Sequence, residues 1–285
     1  VSAQVLVDRP CAATALVSFS QAATGDSAAH LRRDAPHRFM STGCPILDGV
    51  LGGGVRTGMI TEIAGEAGAG KTQLGLQLGV QAHLPLQEGG LDGGVVYLCT
   101  EGPFSIDRFT QLADLIEEQR GPLHSWHEHT WVRHIRTVEE LHGVLNHRLP
   151  VLMRRNTVKL VVIDSIAALF RTDFENKEMF HRSELLWDVA RQLKYLASEH
   201  HAAIVVINQA TDIFDQESPQ LSPRYGPAKK AALGLSWSTC VNVRIFLSKS
   251  PTAEAARQFW LLFSPIAPST SAPCSLSARG LHATM

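Results

Sequence analysis

From Phe39 onward, two spacings of apolar residues take turns along the chain. Residues 59–64 alternate as a strand does, and 71–83 then place Leu74, Leu78 and Ala82 at helical intervals. Residues 95–100 form an apolar strand. A helix is predicted over 106–118, with Phe109, Leu112, Leu115 and Ile116 turned inward. A short strand is expected at 132–135. Thr137-Val-Glu-Glu140 carries the capping-box signature of a helix running to Leu149. Residues 160–164 are a continuous apolar run, the kind buried on both faces of a parallel sheet. A long amphipathic helix is predicted over 184–200, a buried strand over 203–208, and antiparallel strands over 241–247 and 259–263. Ahead of all these, 45–51 predicts a short helix stopped by Gly52, Gly53 and Gly54.

Strands that alternate with helices predict an α/β fold: a doubly wound, mostly parallel sheet with late antiparallel strands. The stretch 212–231 has no periodicity and is too long for an ordinary connection, which marks it as a functional loop. Residues 39–285 are expected to form the core, and 1–38 a linker or truncated N-terminal region. That N-terminal stretch is rich in Ala and Ser, as transit segments are, but Asp8, Asp26 and Asp34 count against that reading.

Composition narrows the class. Apolar residues make up 45% of the 285 and charged residues 19%, as expected for a packed globular domain. The net charge of −1 means that any surface for nucleic acid is local. The five cysteines are scattered without a CxxC pair, which argues against zinc and against a disulfide framework. No run of about 18 apolar residues exists, so no membrane span is expected.

The chemistry centres on Gly65-Glu66-Ala67-Gly68-Ala69-Gly70-Lys71-Thr72, which fits G-x-x-x-x-G-K-[ST] between a predicted strand and a predicted helix. Glycines let main-chain N–H groups wrap a phosphate, and the helix N-terminus adds its dipole. Lys71 is expected at the β- and γ-phosphates and the Thr72 hydroxyl on Mg²⁺. Asp164 ends the buried strand and is the candidate to hold the metal's water shell. Glu101, closing the strand before it, is the candidate base. Gln209, at the end of the next buried strand, is expected to sense the γ-phosphate and to pass its presence to the long loop.

These blocks occur in the order found in the RecA-like recombinases of eukaryotes and archaea, which the chain resembles over about residues 39–285. The resemblance rests on Ser41-Thr-Gly-Cys-Pro-Ile-Leu-Asp48, the phosphate motif ending Lys71-Thr-Gln73, Thr100-Glu-Gly102, Val162-Ile-Asp-Ser165, Ile207-Asn-Gln209, Phe170-Arg-Thr-Asp173 and Leu233-Gly-Leu-Ser-Trp237. Leu84-Pro-Leu-Gln87, Ala167-Ala-Leu-Phe-Arg171 and Phe263-Ser-Pro-Ile-Ala-Pro268 are similar to the family of the third X-ray-repair cross-complementing paralogue. The resemblance implies ATP and Mg²⁺ as cofactors and a role in homologous recombination repair of double-strand breaks, in the nucleus, with the cytoplasm as a second location. It also implies pairing with the C-type paralogue, support of the main recombinase, and binding of single-stranded and branched DNA. By the same resemblance, Gln73 joins the nucleotide site, Arg108 stacks on the adenine, and Pro265 belongs to a cap over a neighbouring subunit's ATP. Phe19-Ser-Gln-Ala22 has the form of the family's polymerisation motif at an unusual distance from the core. Cys99 stands where the family usually has Asp, which weakens Glu101 as a base.

Between Ser218 and Ser250 lie Arg224, Lys229, Lys230, Arg244 and Lys249 with no Asp or Glu. Arg224, Lys229 and Lys230, together with Arg171, are the candidate DNA contacts, and Tyr225 beside Arg224 is placed to stack on a base. His124, His127 and His129 lack the companions of a metal site and read as an exposed connection. Three function classes fit the motifs: a weak DNA-dependent ATPase, an ATP-holding assembly subunit with little or no hydrolysis, and a helicase on the same fold.

Overall fold

The computed structural model describes residues 37–121, 123, 126–171, 179–212, 229–249 and 256–284. The core begins with strand β1 (Phe39–Met40), helix α1 (Pro45–Val50) and strand β2 (Val55–Arg56). Next come β3 (Ile60–Gly65), α2 (Lys71–Ala82), β4 (Gly94–Cys99), α3 (Ile106–Arg120) and β5 (Thr130–His134). The middle holds α4 (Val138–Gly143), α5 (Leu149–Arg155), β6 (Val158–Asp164), α6 (Ile166–Arg171), α7 (Met179–His200) and β7 (Ala203–Ile207). β8 (Ala210–Asp212), β9 (Lys229–Ala231), α8 (Gly234–Ser238), β10 (Val243–Lys249), β11 (Ala256–Phe263), β12 (Thr270–Ser277) and β13 (Gly280–Ala283) complete it.

The 9-stranded sheet has the order β13-β12-β11-β10-β3-β7-β6-β4-β5. The block from β10 to β5 is parallel throughout, and β11 to β13 are antiparallel. The predicted α/β class therefore holds. One detail differs: the strand expected at 241–247 is antiparallel only to β11, and runs parallel to β3 on its other side. It joins the parallel block because Val243–Leu247 lie in register with Thr61–Gly65.

Two hydrophobic layers cover the sheet. Val95, Tyr97 and Cys99 of β4 pack with α2 and α3 on one face, while Val96 and Leu98 pack with α4, α5 and α7 on the other. Near-continuous apolar strands follow from this, because each strand is buried on both sides.

The helix predicted from Thr137 to Leu149 is longer and less regular. Thr137 caps it, its hydroxyl accepting from Glu140 N at 3.2 Å. The reciprocal bond shifts by one residue, since Glu140 Oε2 accepts from Arg136 N at 3.0 Å. A π-turn over Val144–Arg148 then joins α4 to α5, which starts at Leu149 and runs to Arg155. Pro150 explains the turn: it has no N–H, and its ring crowds the carbonyl four residues back, so the helix widens there before continuing. In the non-periodic stretch, the end at Lys229–Ala231 is paired with Ala210–Asp212. Among the described residues, no helix is long and apolar enough to cross a membrane.

Candidate nucleotide-binding site

β3 lies inside the parallel block, between β10 and β7, and the phosphate loop leaves its C-terminal end. In open α/β sheets this is where ligands bind. The loop departs tightly. Gly65 has φ 154°, and a Cβ there would lie 2.2 Å from the Leu247 carbonyl oxygen. Gly68 and Gly70 adopt positive φ of 70° and 103°, which turn the main chain into the first turn of α2. Lys71 and Thr72 open that helix, so their N–H groups have no intrahelical acceptor and face the loop.

Lys71 Nζ donates to the carbonyls of Gly65 (2.9 Å) and Glu66 (2.8 Å), which holds the ammonium across the loop. Burial lowers its pKa, and the negative charges of Asp164 and Glu101 oppose that shift. Asp164 ends β6 beside Thr72, whose hydroxyl donates to it, and Tyr97 Oη donates to Asp164 Oδ2 at 2.9 Å. Burial raises the Asp164 pKa against these two donors. A hydroxyl and a carboxylate in contact at a helix N-terminus are the oxygen donors a hard divalent cation prefers, so the residues fit Mg²⁺.

Glu101 follows β4 and Gln209 follows β7, on either side of β6, and the two side chains meet over its end, Gln209 Nε2 donating to Glu101 Oε1. Glu101 also bears electrostatically on both Lys71 and Asp164. Cys99 pairs in register with Asp164, and burial followed by the Asp164 charge pushes its thiol up to about 12. A neutral thiol therefore stands beside the Asp164 carboxylate. A cavity of about 180 Å³ opens among Thr72, Tyr97, Glu101, Phe104 and Asp164.

Arg108 of α3 reaches back to the loop helix. Its Nε donates to Gln73 Oε1 (2.7 Å), and its guanidinium also meets Gln111 and the carbonyls of Ser277 (2.9 Å) and Ala278 (2.8 Å). Arg108 and Gln73 thus form one unit, tied to the β12–β13 turn.

The candidate DNA residues within the described part lie on two elements. Arg171 ends α6. Lys229 and Lys230 lie on β9, in register with Asp212 and Thr211, and Lys230 is exposed. Arg224, Tyr225 and the Phe19–Ala22 motif lie outside the described residues. Of the other members of the basic run, Arg244 is held inside and Lys249 is exposed beside the phosphate loop. Arg244 is turned inward, where its Nε pairs with the carboxylate of Glu62, a residue with 0% exposure. Lys249 stands at the phosphate loop, its ammonium nitrogen 3.0 Å from where a Cβ on Gly68 would be. Arg257 donates to the Gly68 carbonyl at 3.4 Å.

Spacing did not single out Tyr97, Arg257 or Glu62. Glu62 carried a signal, being a charged residue inside a strand buried on both faces. Its carboxylate accepts from Asn208 Nδ2 (2.6 Å) and Trp237 Nε1 (3.0 Å) as well as from Arg244.

Comparison with known proteins matches this arrangement to a family. The model of the Rad51 family covers residues 36–284. The chain belongs to the Rad51 family. Among curated relatives, this Rad51-family chain is 33% identical to the "DNA repair protein XRCC3 homolog" of Arabidopsis thaliana, over 89% of this chain and 95% of that protein. It is also 33% identical to the "DNA repair protein XRCC3" of Bos taurus, over 88% of this chain and 78% of that one. The "DNA repair and recombination protein RadA" of Aeropyrum pernix is 35% identical over 74% of this chain and 63% of its own length. The chain is thus an XRCC3-like member of its family. Proteins of the RecA and Rad51 type bind ATP.

Proposed function

We propose that this chain binds ATP with Mg²⁺ at the phosphate loop and serves as a recombinase paralogue in homologous recombination repair of double-strand breaks, in the nucleus. The observation that carries the reading is the convergence of Lys71, Thr72 and Asp164 at the end of β3, with both donors to Asp164 in place. Main-chain amides of residues 66–70 and the Lys71 ammonium hold the phosphates. Thr72 and Asp164 would hold the metal, which would supply neutralisation of the phosphate charge. Gln73 and Arg108 take the base end. Glu101 orients water and Gln209 reads the γ-phosphate, and their mutual hydrogen bond supports a shared response to it. In this reading Lys229, Lys230, Arg171 and Arg224 contact single-stranded or branched DNA, and the C-type paralogue is the partner in a heterodimer that assists the main recombinase.

Titration with a fluorescent ATP analogue tests the reading. Wild-type protein is expected to saturate and Lys71→Ala to lose binding. No saturable binding by the wild type would overturn it.

A second reading, an ATP-holding assembly subunit with little turnover, is favoured by Cys99 and by the capture of Glu101 by Gln209. Glu101→Gln separates the two. Loss of repair with ATP binding retained supports the ATPase, and normal repair supports the assembly subunit.

A further inference from the structure

Tyr97 is a tyrosine inside an otherwise apolar strand, and only 1% of it is exposed. A buried phenol needs a hydrogen-bond partner, because leaving its O–H unmatched costs more than the bond returns in water. Its acceptor is Asp164 Oδ2, at 2.9 Å. The sheet explains how the two meet. β4 and β6 run parallel, with Tyr97 in register with Val162 and Cys99 with Asp164. The phenol therefore extends two residues along the sheet on the face covered by α2, and its hydroxyl arrives at the carboxylate. The ring is fixed on its other sides. Phe104 packs edge-on with centroids 5.0 Å apart, and α2 carries Gly75 opposite the hydroxyl, where a Cβ would stand 3.1 Å from Tyr97 Oη.

We propose that Tyr97 is a positioning residue for the metal-holding carboxylate: it pins one oxygen of Asp164 so that the group stays turned toward Thr72 and the magnesium of a bound nucleotide. The inference rests on the nucleotide reading above and assigns Tyr97 no contact with nucleotide or metal. Without the phenolic donor, Asp164 keeps the Thr72 hydroxyl as partner but is no longer restrained from rotating. Outer partners of this kind typically change metal affinity by about 10–100-fold.

Tyr97→Phe tests the proposal, since it keeps the ring and removes one hydrogen bond. Affinity for a fluorescent ATP analogue is measured in excess chelator and again across a magnesium titration. The expected result is unchanged affinity in chelator and about a tenfold rise in the magnesium concentration at half-effect. A variant that merely loosened the fold would lose affinity in both conditions, and that result overturns the proposal, as does a magnesium curve identical to the wild type. Gly75→Ala, which crowds the hydroxyl from the helix side, is expected to move the magnesium curve in the same direction and serves if Tyr97→Phe does not fold. Wild-type protein that binds no nucleotide in either condition overturns the nucleotide reading, and this inference with it. Wild-type binding that ignores magnesium overturns the Tyr97 role together with the metal assignment to Thr72 and Asp164, and leaves nucleotide binding at the loop standing.

Discussion

His83 closes α2, and its Nε2 lies 3.0 Å from Thr130 Oγ1. The Thr130 hydroxyl donates its own proton to the Trp126 carbonyl at 2.8 Å, so the imidazole is the donor in the first bond. Burial, with His129 nearby, lowers the His83 pKa from 6.5 to about 4. The sign follows from linkage. Below pH 6.5 the unfolded chain protonates this histidine while the folded chain does not, so folding stability falls as pH drops from 6.5 toward 4. The slope from this group is about 1.4 kcal/mol per pH unit. Urea unfolding of His83→Gln is expected to show a flatter acid limb than the wild type, and an equally steep limb would remove His83 as the cause. Lys71 is a different case at the same scale. Burial lowers its pKa, the charges of Asp164 and Glu101 oppose that shift, and two loop carbonyls hold its Nζ in place.

Elements are held to one another by a few buried polar groups. Gln77 of α2 donates to Thr42 O (2.5 Å) and Leu281 O (3.2 Å) and accepts from Leu281 N (2.7 Å), which ties the N-terminal turn and β13 to the phosphate-loop helix. Glu62 performs the same task for β3, β7, α8 and β10. Its glutamine variant keeps an acceptor for Asn208 and Trp237 but leaves Arg244 facing an amide. Breaking one side of a buried ion pair costs about 3–5 kcal/mol, and Glu62→Gln is expected to lower the denaturation midpoint accordingly. A shift below about 1 kcal/mol would mean that Ser238 and the Phe263 ring suffice as partners for Arg244. At the other end of the sheet, Thr137→Ala removes the cap of α4 and is expected to cost about 1 kcal/mol by the same measurement.

For the whole molecule, the sheet order sets what touches what. It brings Glu101, Asp164 and Gln209 to the ends of β4, β6 and β7, on the side where β3 releases the phosphate loop. Lys229 and Lys230 sit beyond β7, on a short ribbon whose next residues donate back to the strand end: Ala232 N bonds Gln209 O at 2.8 Å. The proposed DNA contacts and the proposed γ-phosphate reader are therefore joined through the β8–β9 pairing and the hydrogen bonds at Ala232. Replacing both lysines by alanine is expected to weaken single-strand binding and to flatten its salt dependence by about 0.7 in log–log slope for each phosphate no longer neutralised. Unchanged low-salt affinity would remove these residues from the interface. Co-purification with the C-type paralogue, with and without ATP, is expected to show nucleotide-strengthened association that Lys71→Ala weakens, because a ligand shared at a boundary stabilises the assembled state.

Local pattern and motif determined a good part of this on their own. Apolar spacing set the alternation of strands and helices, and the glycine-rich run with Lys71 and Thr72 marked the phosphate loop, because both depend on neighbours within a few residues of each other. Asp164, Glu101 and Gln209 were visible as polar residues at the ends of buried strands. Only the tertiary structure decided where each cation of the basic run stands. Arg244 and Lys249 read alike in the chain, yet one is held by a carboxylate inside β3 and the other stands beside the phosphate loop. It also decided that Tyr97 meets Asp164 and that Arg108 meets the β12–β13 turn, contacts across 67 and about 170 residues. Such pairings arise from strand order and register, which no local window of sequence contains.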